Sequence, residues 1–203
     1  MLYILIYKLK SIHIYLYSTR ITIMSEPLYL TEYMKVKNMG SDKQLKWSGK
    51  RGDLTKKFGW TIPNKSIIKF LVQESQKEPL YEIGAGNGYL SYEIQKYNGE
   101  TIPIDIEIPE KTWSHVKEMS YEELNPKNVS RIILPWPPAN SPMGEECIQY
   151  LGPSVVYFIG KSNSNITGSK EMHELLTNKY KCVEEIELPS WTDNPTMFKK
   201  YVQ

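Results

Sequence analysis

From residue 60 to the end of the chain, segments with the apolar pattern of a β-strand alternate with segments that have the apolar period of an α-helix. Residues 155–159 form an unbroken β-branched and aromatic run, which is typical of a strand buried on both faces of a parallel sheet. Residues 65–76 instead place apolar side chains on one face of a helix that begins after Pro63-Asn64. By the same criteria we predict further helices at 89–97, 143–151 and 170–180, and strands at 101–106, 115–119, 129–134, 182–188 and 196–202. This alternation predicts an α/β fold with a Rossmann-like, doubly wound sheet.

A glycine-rich stretch follows the strand-like apolar segment that begins at Leu80. It reads Glu82-Ile-Gly-Ala-Gly-Asn-Gly88, with Gly84, Gly86 and Gly88 at every second position. Glycine accepts positive φ angles and lets a ligand approach the backbone closely. The helix predicted to follow would direct its free N–H groups toward that ligand. We predict a nucleotide-cofactor loop, although a structural turn would also explain such a run.

The spacing of these residues differs from the dinucleotide pattern G-x-G-x-x-G. An acidic residue followed by Gly-x-Gly-x-Gly resembles the first motif of class I S-adenosylmethionine (SAM)-dependent methyltransferases, E/D-x-G-x-G-x-G. The resemblance implies that Glu82 lies near the methionine end of SAM and that the three glycines bend the chain beneath it. It also implies a mostly parallel, seven-stranded sheet with a terminal antiparallel strand.

A second carboxylate stands where a βαβ unit uses one. Asp105 lies at the end of the second predicted strand, 17 positions after Gly88. In nucleotide-binding βαβ units an acidic residue about 20 positions beyond the glycines accepts hydrogen bonds from the ribose. We therefore predict that Asp105 contacts the ribose of the cofactor. An exposed loop aspartate is the alternative, and Glu107 competes for the role.

The fourth predicted strand runs into the sequence Trp136-Pro-Pro-Ala139. This sequence resembles the N/D-P-P-Y/F motif of amino-methyltransferases, in which the polar side chain and a proline carbonyl hold a target amine. Pro137 and Pro138 match the two prolines, but an indole only donates a hydrogen bond and cannot accept one from an amine. We predict that Trp136, Pro137 and Pro138 line the acceptor pocket, with a stiff loop around a packed tryptophan as the alternative.

Residues 60–202 also resemble a little-characterised group within the same superfamily. The resemblance rests on the runs 59–64, 136–138, 141–143, 155–160 and 167–168. In this superfamily, segments ahead of the first strand often cover the cofactor. We therefore predict that Trp60 contacts the cofactor as well.

Composition divides the chain into three parts. The first, residues 1–23, is rich in Ile, Leu and Tyr, but charged residues interrupt it before it reaches the ~18 apolar residues of a membrane span. We interpret it as an extension outside the fold, for which a mis-assigned start codon is one explanation, with a weak membrane anchor as the alternative. Residues 24–58 form a basic lead-in, and residues 59–203 form the methyltransferase-like domain.

The lead-in concentrates positive charge. Residues 35–57 hold eight basic and two acidic side chains, whereas the whole chain has a net charge of only +2. Such a segment could follow the phosphates of a nucleic-acid substrate. A solvated lead-in is the alternative, and a protein substrate is a further candidate.

Together these features predict SAM-dependent methyl transfer to an unidentified nucleophile of a nucleic acid, protein or small molecule. The alternative is a catalytically inactive module that keeps the fold for binding. Cys147 and Cys182 are the two cysteines, and they lack the spacing of metal ligands. We therefore expect no metal, free thiols and a cytoplasmic location.

Overall fold

The computed structural model describes residues 24–38, 44–162, 166–192 and 194–203, with the backbone alone at 44–48. The extension at 1–23 lies outside the described residues. Within the described ranges the helices are α1 (Leu28–Lys37), α2 (Gln44–Phe58), α3 (Lys65–Ser75), α4 (Tyr89–Gln95), α5 (Met143–Leu151) and α6 (Lys170–Lys179). The strands are β1 (Leu80–Ile83), β2 (Thr101–Asp105), β3 (Lys117–Glu118), β4 (Arg131–Pro135), β5 (Val155–Gly160), β6 (Lys181–Leu188) and β7 (Thr196–Val202).

The strands form one seven-stranded sheet in the order β3-β2-β1-β4-β5-β7-β6. Strands β1 to β5 pair in parallel, while β7 inserts antiparallel between β5 and β6. The predicted Rossmann-like, mostly parallel sheet with an antiparallel strand near its end is therefore confirmed. The strand order reverses at β1 and β4, and open α/β sheets bind ligands at such a switch point.

Helices cover both faces of the sheet. In β4 and β5 the side chains of Ile132 and Val156 face α5 and α6, whereas those of Ile133 and Tyr157 face α3 and α4. Every residue of β5 is buried, because helices cover both of its faces. This arrangement explains the unbroken apolar run in the sequence.

The predicted element bounds differ from the structure mainly at the sheet edge and at β4. Strand β4 covers Arg131–Pro135 instead of 129–134. Strand β3 contains two residues, since only Lys117 and Glu118 find partners on β2. Helix α5 begins and ends at the predicted residues.

Helices α1 and α2 pack against the sheet domain through aromatic side chains. Tyr29 and Tyr33 lie one turn apart on the same face of α1, and both are buried. The Tyr29 ring stacks on Phe58 of α2, with ring centroids 4.8 Å apart. The Trp191 indole donates a hydrogen bond to the Tyr29 hydroxyl over 2.9 Å. These two helices therefore pack on the domain through aromatic side chains, while Lys50, Lys56 and Lys57 of α2 stay exposed. None of the helices in the described ranges combines the length and apolar character needed to cross a membrane.

Candidate functional site

A cleft of about 700 Å³ opens at the carboxyl ends of β1, β2 and β4, at the switch point of the sheet. It brings together eight of the nine residues predicted to form the site. These are Trp60, Glu82, Gly84, Gly86, Asp105, Trp136, Pro137 and Pro138. Residues from the end of α2, the start of α5 and the loop after β5 complete the wall.

The three glycines of the loop all have positive φ angles, between 56° and 71°. Gly84 and Gly86 line the cleft. A Cβ added at Gly86 would meet no atom within 4 Å, so this part of the loop leaves room for a ligand. Gly88 is the residue that does not line the cleft. It precedes the first turn of α4, and a Cβ there would lie 2.7 Å from Val116 Cγ2, so its role is close packing.

Glu82 lies at the floor of the cleft and is 1 % exposed. Its Oε2 accepts hydrogen bonds from the backbone N–H and the hydroxyl of Ser91 on α4. Burial raises the pKa of this carboxyl to about 7, against the lowering effect of the Ser91 hydrogen bonds. Near neutral pH the site therefore contains a carboxyl group that can be charged or neutral.

Asp105 connects the end of β2 to the glycine loop. Its Oδ2 accepts a hydrogen bond from the backbone N–H of Gly86 over 2.7 Å, and its Oδ1 accepts one from the N–H of Glu107 over 3.1 Å. Asp105 lines the cleft, whereas the competing Glu107 does not. The carboxylate thus fixes the loop and still faces the space where a ligand would lie.

Trp136 turns the chain sharply out of β4. Its φ is +58°, a left-handed value that L-residues rarely adopt, and the following proline disfavours helical geometry at this position as well. The backbone N–H of Trp136 donates to the Ile159 carbonyl over 2.7 Å. The Pro137 carbonyl accepts from the Gly168 N–H over 2.7 Å. One of the two lone pairs of that carbonyl is therefore already used within the fold.

The Trp136 ring lies beside that of Trp60. Their centroids are 6.0 Å apart and their planes differ by 14°. The Arg51 guanidinium on α2 lies 5.4 Å from the Trp60 ring centroid. Trp60, predicted to contact the cofactor, therefore also borders the predicted acceptor edge.

The end of α2 is held against the glycine loop. The Asn87 amide donates to the Lys57 carbonyl over 2.9 Å, and the Trp113 indole donates to the same oxygen over 2.7 Å. The Asn87 side-chain oxygen accepts from the N–H of Tyr89 at the start of α4. These bonds satisfy a carbonyl at the last turn of α2 and fix the helix beside the cleft.

Several lining residues were not identified from the sequence. Tyr121 follows β3 in a short 3₁₀ turn, which begins with a capping box between Ser120 and Glu123. Its hydroxyl donates to Glu146 of α5 over 3.3 Å, and burial with that carboxylate raises the pKa of Tyr121 to about 12. The position of Ser120 and Tyr121 directly after a parallel strand was the signal available.

Comparisons with known proteins add a structural likeness. Neither a protein family model nor a curated protein sequence matches the chain. Among solved structures, the chain resembles magnesium protoporphyrin IX methyltransferase from Synechocystis PCC 6803 with bound SAM. The identity is 12 %, the TM-score is 0.52, and the match covers 85 % of this chain and 90 % of that one. An O-methyltransferase from Bacillus cereus matches at 14 % identity over 84 % and 96 % of the two chains, with a TM-score of 0.49.

The likeness to the Synechocystis structure agrees with the strand order of the sheet and with the antiparallel β7. The chain has the fold of the class I SAM-dependent methyltransferases.

Proposed function

We propose that the cleft binds SAM and that the protein transfers the SAM methyl group to a nucleophilic atom of an acceptor. One observation carries the proposal. The fold gathers a buried acidic residue, an open glycine loop, a carboxylate after β2 and the Trp-Pro-Pro edge around a single cleft. The SAM bound in the Synechocystis methyltransferase of the same fold supports it.

The chemistry of the cleft fits this cofactor. The open space at Gly86 would accept the part of the ligand that lies against the loop backbone. A carboxylate offers about four lone-pair sites, so Asp105 can accept ribose hydroxyls in addition to its two backbone donors. Glu82 would face the methionine end, where its charged form would stabilise an ammonium group.

Bound SAM supplies an electrophilic methyl group. A lone pair of the acceptor atom would take this methyl group, the electron pair of the broken carbon–sulfur bond would stay on sulfur, S-adenosylhomocysteine would leave, and a proton carried by the acceptor atom would pass to water. The residues of this chain contribute mainly by holding the two reactants in line. Trp136 and Pro138 would place the acceptor beside the cofactor, and the backbone hydrogen bonds of Trp136 and Pro137 hold this edge in place.

A catalytically inactive binding module is the second candidate. Two observations favour it. Trp136 offers no hydrogen-bond acceptor where an amino-methyltransferase has Asn or Asp. The Pro137 carbonyl already accepts the Gly168 N–H. Such a protein would bind SAM without turning it over.

Transfer of a labelled methyl group separates the two candidates. The full chain would be incubated with methyl-labelled SAM and with separate RNA, DNA, protein and small-molecule fractions of a cell extract. We expect label in one fraction, strongly reduced for Asp105→Asn. The neighbouring Glu107→Gln, outside the cleft, serves as the matched control and should keep the activity. SAM binding without transfer would support the binding module, and absence of SAM binding would contradict both candidates.

A further inference from the structure

Two tryptophans lie at the mouth of the cleft, and Trp60 keeps much of its aromatic surface uncovered while Trp136 is half-buried. Trp60 is 48 % exposed. Carbon atoms in contact lie about 3.5–4.0 Å apart, so a centroid separation of 6.0 Å means that neither ring fully covers the other. The near-parallel planes give a flat ligand two surfaces of similar orientation. Packing within the protein therefore does not account for this pair.

A cation lies next to the pair. Arg51 is half-buried, and among the described residues it forms no ion pair with a carboxylate. Arg51 also interacts electrostatically with Lys161, which follows β5. Burial and the repulsion from the Arg51 charge together lower the pKa of Lys161. Arg51 thus places a positive charge next to the exposed aromatic surface of Trp60.

Further positive charge lies on α2, the helix whose last turn is held beside the cleft. Lys50, Lys56 and Lys57 are exposed on this helix, against the single acidic residue Asp53. Several exposed cations on one helix suit a chain of phosphates better than a single anion. Proteins that hold single-stranded nucleic acid combine such positive charge with aromatic rings on which bases stack.

We propose that Trp60, Trp136 and Arg51 form the acceptor subsite and that it takes the base of a phosphate-bearing nucleotide. The base stacks on the indole rings, Arg51 pairs with the adjacent phosphate, and the lysines of α2 contact phosphates further along a single strand. The inference rests on the proposed methyl transfer, because it identifies the acceptor of the same site.

Binding of labelled oligonucleotides tests the subsite. The full chain would be titrated, by fluorescence anisotropy, into a labelled oligothymidylate of about eight nucleotides. S-adenosylhomocysteine would be present at saturation, so that the base cannot occupy the cofactor space. An abasic strand of the same length and free thymidine monophosphate as competitor complete the set. A pyrimidine is used because adenine could compete for the cofactor cleft.

We expect the abasic strand to bind at least about fivefold more weakly, because a stacked base contributes about 1–3 kcal/mol. Trp60→Leu should weaken binding of the normal strand by a similar factor and leave the abasic strand unchanged. Tyr150→Leu is the matched control, since Tyr150 is 45 % exposed on α5. Arg51→Gln should reduce the salt dependence by about one phosphate contact, whereas Lys179→Gln at the end of α6 should not.

The outcomes also distinguish the source of the base. Tight binding of the strand with a steep salt dependence identifies a nucleic acid, while equal competition by the free nucleotide identifies a small nucleotide. Equal affinity for normal and abasic strands, or no effect of Trp60→Leu, would overturn the subsite. If S-adenosylhomocysteine binds and neither nucleotide probe does, the subsite fails and the proposed function stands. If S-adenosylhomocysteine does not bind, the proposed function itself fails.

Discussion

At the scale of single residues, Trp136 combines an unfavourable backbone angle with a place at the edge of the cleft. Its φ is +58°, and its backbone N–H is held by the Ile159 carbonyl. Left-handed geometry costs an L-residue about 1–2 kcal/mol, and such strain is concentrated at functional sites. The sequence predicted that Trp136 belongs to the site. It did not predict the strain, because the residue before a proline ordinarily adopts an extended conformation.

Two substitutions of Trp136 separate the effect of its backbone conformation on stability from the effect of its indole ring. Trp136→Gly and Trp136→Ala both remove the indole, but only glycine accepts the positive φ freely. We expect the glycine variant to have a free energy of unfolding about 1 kcal/mol higher than the alanine variant. Urea denaturation of the two variants measures the difference. Equal stability would show that the turn relaxes without the ring.

Glu82 makes stability depend on pH. Its pKa is about 7 in the folded state, above the ordinary value of 4.5 that holds in the unfolded chain. The folded state therefore binds the proton more tightly, and the free energy of unfolding falls as pH rises between these two values. Between about pH 5 and about pH 8 we expect the free energy of unfolding of the unmutated chain to fall by up to about 3 kcal/mol more than that of Glu82→Gln. Parallel pH curves for the two proteins, measured by urea denaturation, would contradict this.

At the scale of elements, the period of apolar residues predicted the sheet strands and the helices of the domain well. Helices α1 and α2 were not predicted, because the residues from 24 to 58 read as polar and basic. Their position depends on a few aromatic contacts and on the bonds from Asn87 and Trp113 to the Lys57 carbonyl. Such distant contacts leave no local signal, and for this reason the place of Arg51 beside Trp60 was also missed.

Two asparagines test the attachment of α2. Asn64 caps α3 by accepting from the Ile67 N–H over 2.9 Å, whereas Asn87 holds α2 to the glycine loop. Each Asn→Ala change should lower the free energy of unfolding by about 1 kcal/mol. Only Asn87→Ala should also weaken SAM binding, because the loop then loses its fixed position. Equal SAM affinities of the two variants in a calorimetric titration would contradict the coupling.

At the scale of the whole molecule, α1 completes an aromatic core that is separate from the two hydrophobic clusters on the faces of the sheet. This core contains Tyr29, Tyr33, Phe58, Ile62, Tyr89 and Trp191. It connects α1 and α2 to the glycine-loop helix and to the segment before β7. The seven-stranded sheet with its antiparallel strand was foreseen only through the family resemblance, and the order of the strands was not predicted, since an apolar period identifies strands but not their neighbours.

Removal of α1 tests this core. A chain beginning at Met39 lacks Tyr29 and Tyr33, both buried, whereas a chain beginning at Met24 keeps them. Loss of a single large buried aromatic side chain typically costs about 3–5 kcal/mol. We expect the shorter chain to be less stable than the longer one by at least about 3 kcal/mol, measured by urea denaturation. Similar stabilities would mean that α1 packs only loosely.

Calorimetric titration with SAM measures whether the cleft binds this cofactor. Gly86→Arg should fill the cleft, and Gly152→Arg is its matched control. Both glycines have φ near +56° and no atom within 4 Å of an added Cβ, but Gly152 ends α5 outside the cleft. If SAM occupies the cleft, we expect saturable binding to the unmutated chain and to Gly152→Arg, and none to Gly86→Arg. Absence of binding to the unmutated chain, or undiminished binding to Gly86→Arg, would contradict a SAM site in this cleft.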